Sequence, residues 1–243
     1  MADPVAASGA ASPFRAGTVL RPPRPSLLDA VAHSAVLRAL AAWRDNGGGQ
    51  PPLLLDGTAG NGHDCLFLAR QAPAGSLLLA LDIQEAALQA SRARLEQAGM
   101  AARCCASAAP LPSGTTDIRL VLHSHAGLPE LLDALPEADR QRPLLAGIFN
   151  FGYLPGTDKR CTTTAAGSLA AVDALLERLA PQGCLSLHCY TGHEGGAAEE
   201  AALAQRLARL EPRRWRVLHC RDANRETHGE SILLAERLPV RQR

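Results

Sequence analysis

Leu53-Leu54-Leu55-Asp56-Gly57-Thr58-Ala59-Gly60-Asn61-Gly62-His63-Asp64 is the stretch on which the fold reading turns. Leu53 to Asp56 is a continuous apolar run closed by an acid, too short for a helix and without alternation, as expected of a strand buried on both faces. Gly57, Gly60 and Gly62 follow at once, and from His63 to Arg70 the pattern is helical. Strand, glycine loop and helix in this order place a flexible loop at the carboxyl end of a first strand. There the backbone must bend at positive φ and approach a ligand closely.

The same alternation extends in both directions. Upstream, Leu27, Leu28, Val31, Ala35, Leu37, Leu40 and Ala41 recur at three and four, with Ser26 as N-cap, Asp29 three residues on, and Asn46-Gly47-Gly48-Gly49 as terminator. Downstream, a second buried strand, Ser76 to Leu81, ends at Asp82, and a helix runs from Gln84 to Gln97. Residues 101–116 read as an extended loop or insertion. A third strand, Ile118 to Leu122, leads into His123-Ser124-His125, and Leu128 to Leu135 is helical. A fourth strand, Leu144 to Phe149, runs into Asn150-Phe151-Gly152-Tyr153. Helix Leu169 to Leu179, a turn at Pro181-Gln182-Gly183, strand Cys184 to Tyr190 and helix Ala197 to Leu210 follow. Strands Arg214 to Cys220 and Ser231 to Glu236 close the series. The prediction is an α/β fold with a doubly wound, mostly parallel seven-stranded sheet. Residues 1–25, with Pro4, Pro13, Pro22, Pro23 and Pro25, read as a flexible N-terminal arm, and 26–243 as the single functional domain.

Composition narrows the class. Of 243 residues, 47% are hydrophobic and 20% charged, enough apolar material for a full core. No apolar run approaches the roughly 18 residues of a membrane span, and no basic-then-apolar leader is legible at the start, so the expectation is a cytoplasmic protein. Seven cysteines without a Cys-x-x-Cys pair argue against a complete disulfide framework or a zinc ribbon. His193-Glu194 lacks a second histidine at metal spacing, so no metal is expected. The net charge of +1 leaves no bulk electrostatic hold on nucleic acid, though a local patch suffices for a small site. Lys159 is the only lysine beside 24 arginines. Arg213, Arg214 and Arg216 around Trp215 read either as an RNA contact or as an edge strand with solvated arginines over a buried Trp; the second reading is preferred.

Two cofactor classes share the logic of Gly60, Gly62 and an acid, Asp82, placed for ribose hydroxyls. A dinucleotide fingerprint starting at Gly60 needs a small residue where Cys65 stands, and Asp64 would face pyrophosphate. The alternative, Asp-x-Gly-x-Gly-x-Gly, resembles the S-adenosylmethionine loop of class I methyltransferases, with Thr58 in place of its first glycine. That cofactor carries an amine and a sulfonium and no phosphate, so neighbouring carboxylates help. An unspecialised glycine turn in another kind of enzyme is the third reading.

Five segments together narrow the resemblance: Asp56 to Asp64, Asp82-Ile83-Gln84, Ser124-His125, Phe149 to Lys159 and Tyr190 to Gly196. In this order they resemble the small bacterial methyltransferases labelled rRNA methylases, over roughly residues 27 to 236. Phe151, Thr157, the 101–116 insertion and the stretch from Arg221 to His228 depart from that pattern. The resemblance implies a Rossmann-like class I methyltransferase fold. It also implies methyl transfer from S-adenosylmethionine to the amine of 5-aminomethyl-(2-thio)uridine at the tRNA wobble position, with the anticodon loop as partner. By the same resemblance Gly60, Asn61 and Gly62 line the methionine end of the cofactor and Asp64 lies near its amine. Asp82 takes the ribose, Gln84 completes the ribose or the adenine contacts, and Ser124 and His125 border the adenine edge. Asp64 as a helix-terminal charge and His125 as a structural histidine stay open as alternatives.

Asn150 resembles the asparagine of amino-group methyltransferases, whose amide oxygen accepts from the target nitrogen and aims its lone pair at the methyl carbon. Gly152 lets backbone approach the base, and Tyr153 stacks on it or packs. Asp158, Tyr153, His193 or water takes the amine proton, which Asn150 cannot. Lys159 is assigned to phosphate or substrate, with an incidental surface position as the alternative. Thr162, Thr163 and Thr164 can cap the next helix and donate to phosphate, capping alone explaining one of them, and Thr163 is the one assigned to substrate. Rival readings are the same chemistry on ribosomal RNA or on a small-molecule amine, and a non-catalytic RNA-binding module.

Overall fold

A computed structural model describes residues 26–104, 115–152, 163–224 and 229–239. The arm expected over 1–25, Tyr153, Asp158, Lys159 and Thr162, and most of the 101–116 insertion lie outside the described residues.

The apolar runs form the strands. In chain order these are β1 (Leu53–Asp56), β2 (Leu77–Asp82), β3 (Arg103–Cys104), β4 (Asp117–Leu122), β5 (Leu144–Phe151), β6 (Leu179–Tyr190), β7 (Trp215–Cys220) and β8 (Glu230–Arg237). They pair in the order β3-β4-β2-β1-β5-β6-β8-β7, parallel from β3 through β6, with β8 antiparallel to both β6 and β7. The expected doubly wound, mostly parallel sheet is therefore present, with eight strands among the described residues in place of seven. The extra one is β3, two residues long at the edge beside β4, where Arg103 stands opposite Arg119 in the ladder and its guanidinium forms an ion pair with Asp117. A two-residue edge pairing leaves no apolar run to read.

Among the described residues seven α-helices flank the sheet: α1 (Leu27–Asp45), α2 (His63–Gln71), α3 (Glu85–Gln97), α4 (Leu128–Asp133), α5 (Glu137–Arg140), α6 (Ala165–Arg178) and α7 (Gly196–Ala208). The single helix expected over 128–135 is α4 preceded by a 3-10 turn at His125–Gly127 and followed by α5, because Pro136 halts the first helix. The turn expected at 181–183 is a break inside β6, whose pairing with β5 lapses between Leu179 and Cys184, with Gln182 at φ 67°. The N-cap of α1 forms as read: Asp29 N–H donates to Ser26 Oγ at 3.0 Å, and Ser26 N–H donates to Asp29 Oδ2 at 2.9 Å.

Alternation along each strand sorts its side chains into two cores. Leu53, Leu55, Leu77, Leu79, Phe149 and Phe151 face α4, α6 and α7. Leu54, Leu78, Ala80, Ala146 and Ile148 face α1, α2 and α3. Asn150 has the parity of Ala146 and Ile148, so its side chain is directed to the α1 and α2 face. At the opposite end of the sheet, Arg119 bonds Asp117 and Asp139, and Arg142 bonds Asp139 and the Gly75 carbonyl, fixing the amino ends of the strands away from the loops.

Candidate active site

The chain winds from β1 outward through β2 to β4, then returns to the other side of β1 as β5. The strand order reverses there, and the crevice beyond the carboxyl ends of β1 and β5 is where an open α/β sheet takes its ligand. The glycine loop after β1 and Asn150 near the end of β5 meet at this crevice.

The amides of this loop are engaged within the protein. Gly57 N–H donates to the Ile148 carbonyl at 2.8 Å, Ala59 N–H to Leu81 at 2.7 Å and Gly62 N–H to Ala59 at 2.8 Å. Thr58 N–H donates to Asp56 Oδ1 at 3.2 Å, and Gly60 N–H to Asp82 Oδ2 at 2.9 Å. The second oxygen of Asp82 accepts Gln84 N–H at 2.9 Å, so the carboxylate clamps the loop to the start of α3. Gly62 has φ 75°, and a Cβ there would lie 2.6 Å from Ser91 Cα, so only glycine fits. Ser91 Oγ in turn donates to the Gly60 carbonyl at 3.0 Å, and Arg94 Nε to the Asn61 carbonyl at 2.6 Å.

Three carboxyl groups surround the loop. Asp56 is fully buried, and burial, reinforced by Asp64 and Asp82, pushes its carboxyl well above the usual range. Its Oδ2 has no hydrogen-bond partner among the described residues. Asp64, on the first turn of α2, is about one-fifth exposed. One oxygen lies 2.7 Å from His33 Nε2 of α1, and the other accepts Asn150 Nδ2 at 2.8 Å. Asn150 N–H donates to Thr58 Oγ1 at 2.6 Å, a bond that the first glycine of the S-adenosylmethionine loop pattern has no side chain to make. Asn150 is thus a half-buried carboxamide tied to the loop by its backbone and to α2 by its side-chain nitrogen.

On the other face, His125 lies edge-on to Phe149 and Phe151, with ring centroids 6.4 and 5.6 Å away. Burial lowers its pKa, against the attraction of Glu199 and Asp82. Its Nε2 is 3.3 Å from Ser168 Oγ, which donates to Glu199 at 2.6 Å. Glu199 is 2% exposed and also accepts from Thr163 Oγ1 at 2.5 Å. Thr163 N–H closes on the Gly152 carbonyl at 3.2 Å. Gly152 has φ 148°, and a Cβ there would meet Tyr190 Cβ at 3.0 Å and His193 Nε2 at 3.4 Å. Of the three threonines offered as caps of α6, Thr164 is the one that caps it. Ser124 Oγ accepts Ala126 N–H at 3.2 Å as cap of the 3-10 turn.

This donor set fits S-adenosylmethionine and not a pyrophosphate. A phosphate loop offers free N–H groups and positive potential, whereas here five amides are engaged and three carboxyl groups crowd round. Ile83, next to Asp82, is 52% exposed, and Leu122, the register partner of Asp82 across β2 and β4, is 56% exposed. Two bare apolar side chains next to a ribose-sized acid suit the flat face of an adenine. Among the described residues no group of His, Cys, Asp and Glu is arranged for a metal. No described helix is long and apolar enough to cross a membrane.

Sequence reasoning thus named residues that gather at one crevice: Gly60, Asn61, Gly62, Asp64, Asp82, Gln84 and Asn150 on the loop side, and His125, Gly152, Thr163 and His193 beyond β5. It missed His33, Ser91, Glu199, Ile83 and Leu122. The parity of β5 gave a usable signal for the face of Asn150; nothing local marked His33. Trp215 is 9% exposed on the edge strand β7 and Arg216 pairs with Glu236, which is the preferred reading of that basic segment.

Comparison with known proteins gives a consistent result. The family model described as "Putative rRNA methylase" matches residues 78–236. A curated Arabidopsis thaliana protein, "tRNA (mnm(5)s(2)U34)-methyltransferase, chloroplastic", is 32% identical over 152 residues, 60% of this chain and 49% of that protein. The chain therefore spans about half the length of this curated relative. Among solved structures, "a putative methyltransferase from streptococcus mutans in complex with SAH" superposes with TM-score 0.67 at 25% identity, over 88% of this chain and all of that one. An rRNA methylase from Streptococcus thermophilus gives 0.62 at 25% identity, over 89% and 99%.

Proposed function

This chain belongs to the rRNA methylase family of class I S-adenosylmethionine-dependent methyltransferases, and from that premise we propose that it methylates the amine of 5-aminomethyl-(2-thio)uridine at the wobble position of tRNA. The observation that carries this reading is the Asn150 carboxamide, placed at the crevice with its nitrogen donated to Asp64 and its oxygen left to accept from a target amine. The name of the Arabidopsis relative supports the choice of nucleoside.

Bound S-adenosylmethionine supplies an electrophilic methyl carbon on a sulfonium. In this reading Asp82 and Gln84 hold the ribose, Ile83, Leu122, Ser124 and His125 border the adenine, and Gly60, Asn61 and Gly62 admit the methionine end. Asn150 Oδ1 accepts an N–H of the substrate amine and turns the nitrogen lone pair toward the methyl carbon, so alignment supplies a large share of the rate. An aliphatic amine is largely protonated near neutral pH and must first lose a proton. Asp158, Tyr153 and His193 are the proposed acceptors, with Gly152, Thr163 and Lys159 holding the nucleotide. RNA anticodon loops present unstacked bases, so a compact pocket can recognise one without a broad basic surface. A cytoplasmic setting suits the five described cysteines, all of them free thiols.

The test is incubation of the protein with S-adenosylmethionine and tRNA lacking this methylation, with ribosomal RNA in parallel, followed by nucleoside mass spectrometry. A gain of one methyl on 5-aminomethyluridine, lost in Asn150→Ala while calorimetry still finds cofactor binding, is the expected result. Cofactor binding with methyl gain only on ribosomal RNA, or on neither, refutes the tRNA assignment.

A further inference from the structure

Asn150 matters to the proposed reaction only if its carboxamide points one way. A terminal amide has two orientations of nearly equal shape, one offering oxygen to the substrate and one offering NH2. An NH2 aimed at the neutral amine would donate to its lone pair and tie up the electrons that must reach the methyl carbon. Asp64 removes that ambiguity. Its oxygen is 2.8 Å from Asn150 Nδ2, and the reversed amide would set two oxygens against each other at that distance. The other oxygen of Asp64 lies 2.7 Å from His33 Nε2. The His33 ring is itself fixed, stacked on Phe67 at 3.7 Å and 9°. Both side chains are only about one-fifth exposed, which limits the screening of their interaction. The line His33, Asp64, Asn150 thus runs from α1 through α2 to β5, joining three elements at the crevice.

We propose that Asp64, held by His33, is a positioning residue that fixes the Asn150 carboxamide with its oxygen toward the target amine. This rests on the role given to Asn150 above, and it reassigns Asp64 from the amine of the cofactor, where the sequence placed it, to the substrate side.

The variants are Asp64→Ala, Asp64→Asn and His33→Gln in the full chain, each checked for an unchanged thermal melt. Asn at 64 can still accept from Asn150 Nδ2 while its own NH2 donates to His33 Nε2, and Gln at 33 can donate through its Nε2. Losing one charge-assisted hydrogen bond that acts through orientation predicts a kcat drop of about 10- to 100-fold for Asp64→Ala, with KM for tRNA and the dissociation constant of S-adenosylmethionine each within about threefold. Asp64→Asn and His33→Gln recover most of that kcat. A second readout needs no turnover: the side-chain NH2 resonances of Asn150, assigned by their loss in Asn150→Asp, shift upfield in Asp64→Ala and return in Asp64→Asn. Unmoved resonances or an unchanged kcat in Asp64→Ala overturn the proposal. A kcat loss matched by an equal loss of cofactor affinity gives Asp64 back to the cofactor and overturns it too. Normal turnover in Asn150→Ala instead sinks the reading of Asn150, while the resonances still report whether Asp64 orients it.

Discussion

Gly57 sets the spacing between the loop and the core, and replacing it with alanine tests how tightly the two are fitted. A methyl group on Gly57 would stand 2.0 Å from Phe149 Cε1, 2.4 Å from Cδ1 and 2.7 Å from Cζ. Carbon atoms prefer roughly 3.5–4.0 Å, so ring and loop must part by about 1.5 Å. Phe149 has nowhere to go, being fully buried and stacked on Phe151 at 5.0 Å and 18°. The expected cost is at the upper end of the overpacking range, about 3 kcal/mol. It is read as a lowered midpoint in urea unfolding followed by circular dichroism. Because Gly57 N–H is bonded to Ile148, the loop moves with the backbone, and affinity for S-adenosylmethionine falls in the same variant. Phe149→Leu makes room, so Gly57→Ala combined with Phe149→Leu is less destabilised than the two single changes summed, by about 1 kcal/mol or more. A Gly57→Ala protein within about 0.5 kcal/mol of the parent, or a strictly additive double variant, refutes the steric argument.

Three further outcomes follow from the site. Asp82→Ala releases both Gly60 and Gln84 as well as the proposed ribose contact, and calorimetry is expected to show cofactor affinity weakened by about 10- to 100-fold; unchanged affinity contradicts the assignment. Glu199→Ala strips the acceptor from the fully buried Ser168 hydroxyl and from Thr163, at about 2–4 kcal/mol in urea unfolding, with Glu199→Gln costing far less. Equal losses in the two variants would show that shape, not hydrogen bonding, is what Glu199 provides. Asp29 is held down to about 2 chiefly by the His188 side chain, with burial opposing and the Ser26 N–H assisting. A carboxyl depressed on folding contributes stability that is present above its unfolded pKa and is lost as pH falls toward about 2. Asp29 is about one-third exposed, so roughly 1 kcal/mol survives screening. Asp29→Asn therefore flattens the acid limb of a stability profile between about pH 5 and pH 2; an unchanged limb refutes the link.

The fold was legible because both-faced burial leaves continuous apolar runs, and β1, β2, β4 and β5 fall within a residue or two of where those runs stand. The loop after β1 was legible because positive φ at Gly60 and Gly62 demands glycine. What escaped notice depends on contacts between elements distant in the chain. His33 is one polar residue on an amphipathic helix, and its partner lies 31 residues on, so no local period marks it. Glu199 reads as a solvent-facing acid near the start of a helix until Ser168 and Thr163 close over it. Ser91 sits mid-helix, and only the close approach of Gly62 gives it a purpose. The turn inside β6 was legible at Pro181-Gln182-Gly183, but the extension of that strand back to Leu179 and the short β3 escape for a different reason, since pairing there is irregular or too brief to imprint a pattern.

The occupied amides of the glycine loop bear on competition among metabolites. Adenosine is shared by many small molecules, and ATP offers the same base and sugar as the proposed cofactor. A loop whose N–H groups at 57–60 and 62 already have acceptors has no cradle for a triphosphate, and the carboxyl groups of Asp64 and Asp82 repel one. Hydrogen bonds that look like scaffolding therefore also act as a filter, admitting a cationic adenosine derivative and turning away its anionic counterparts.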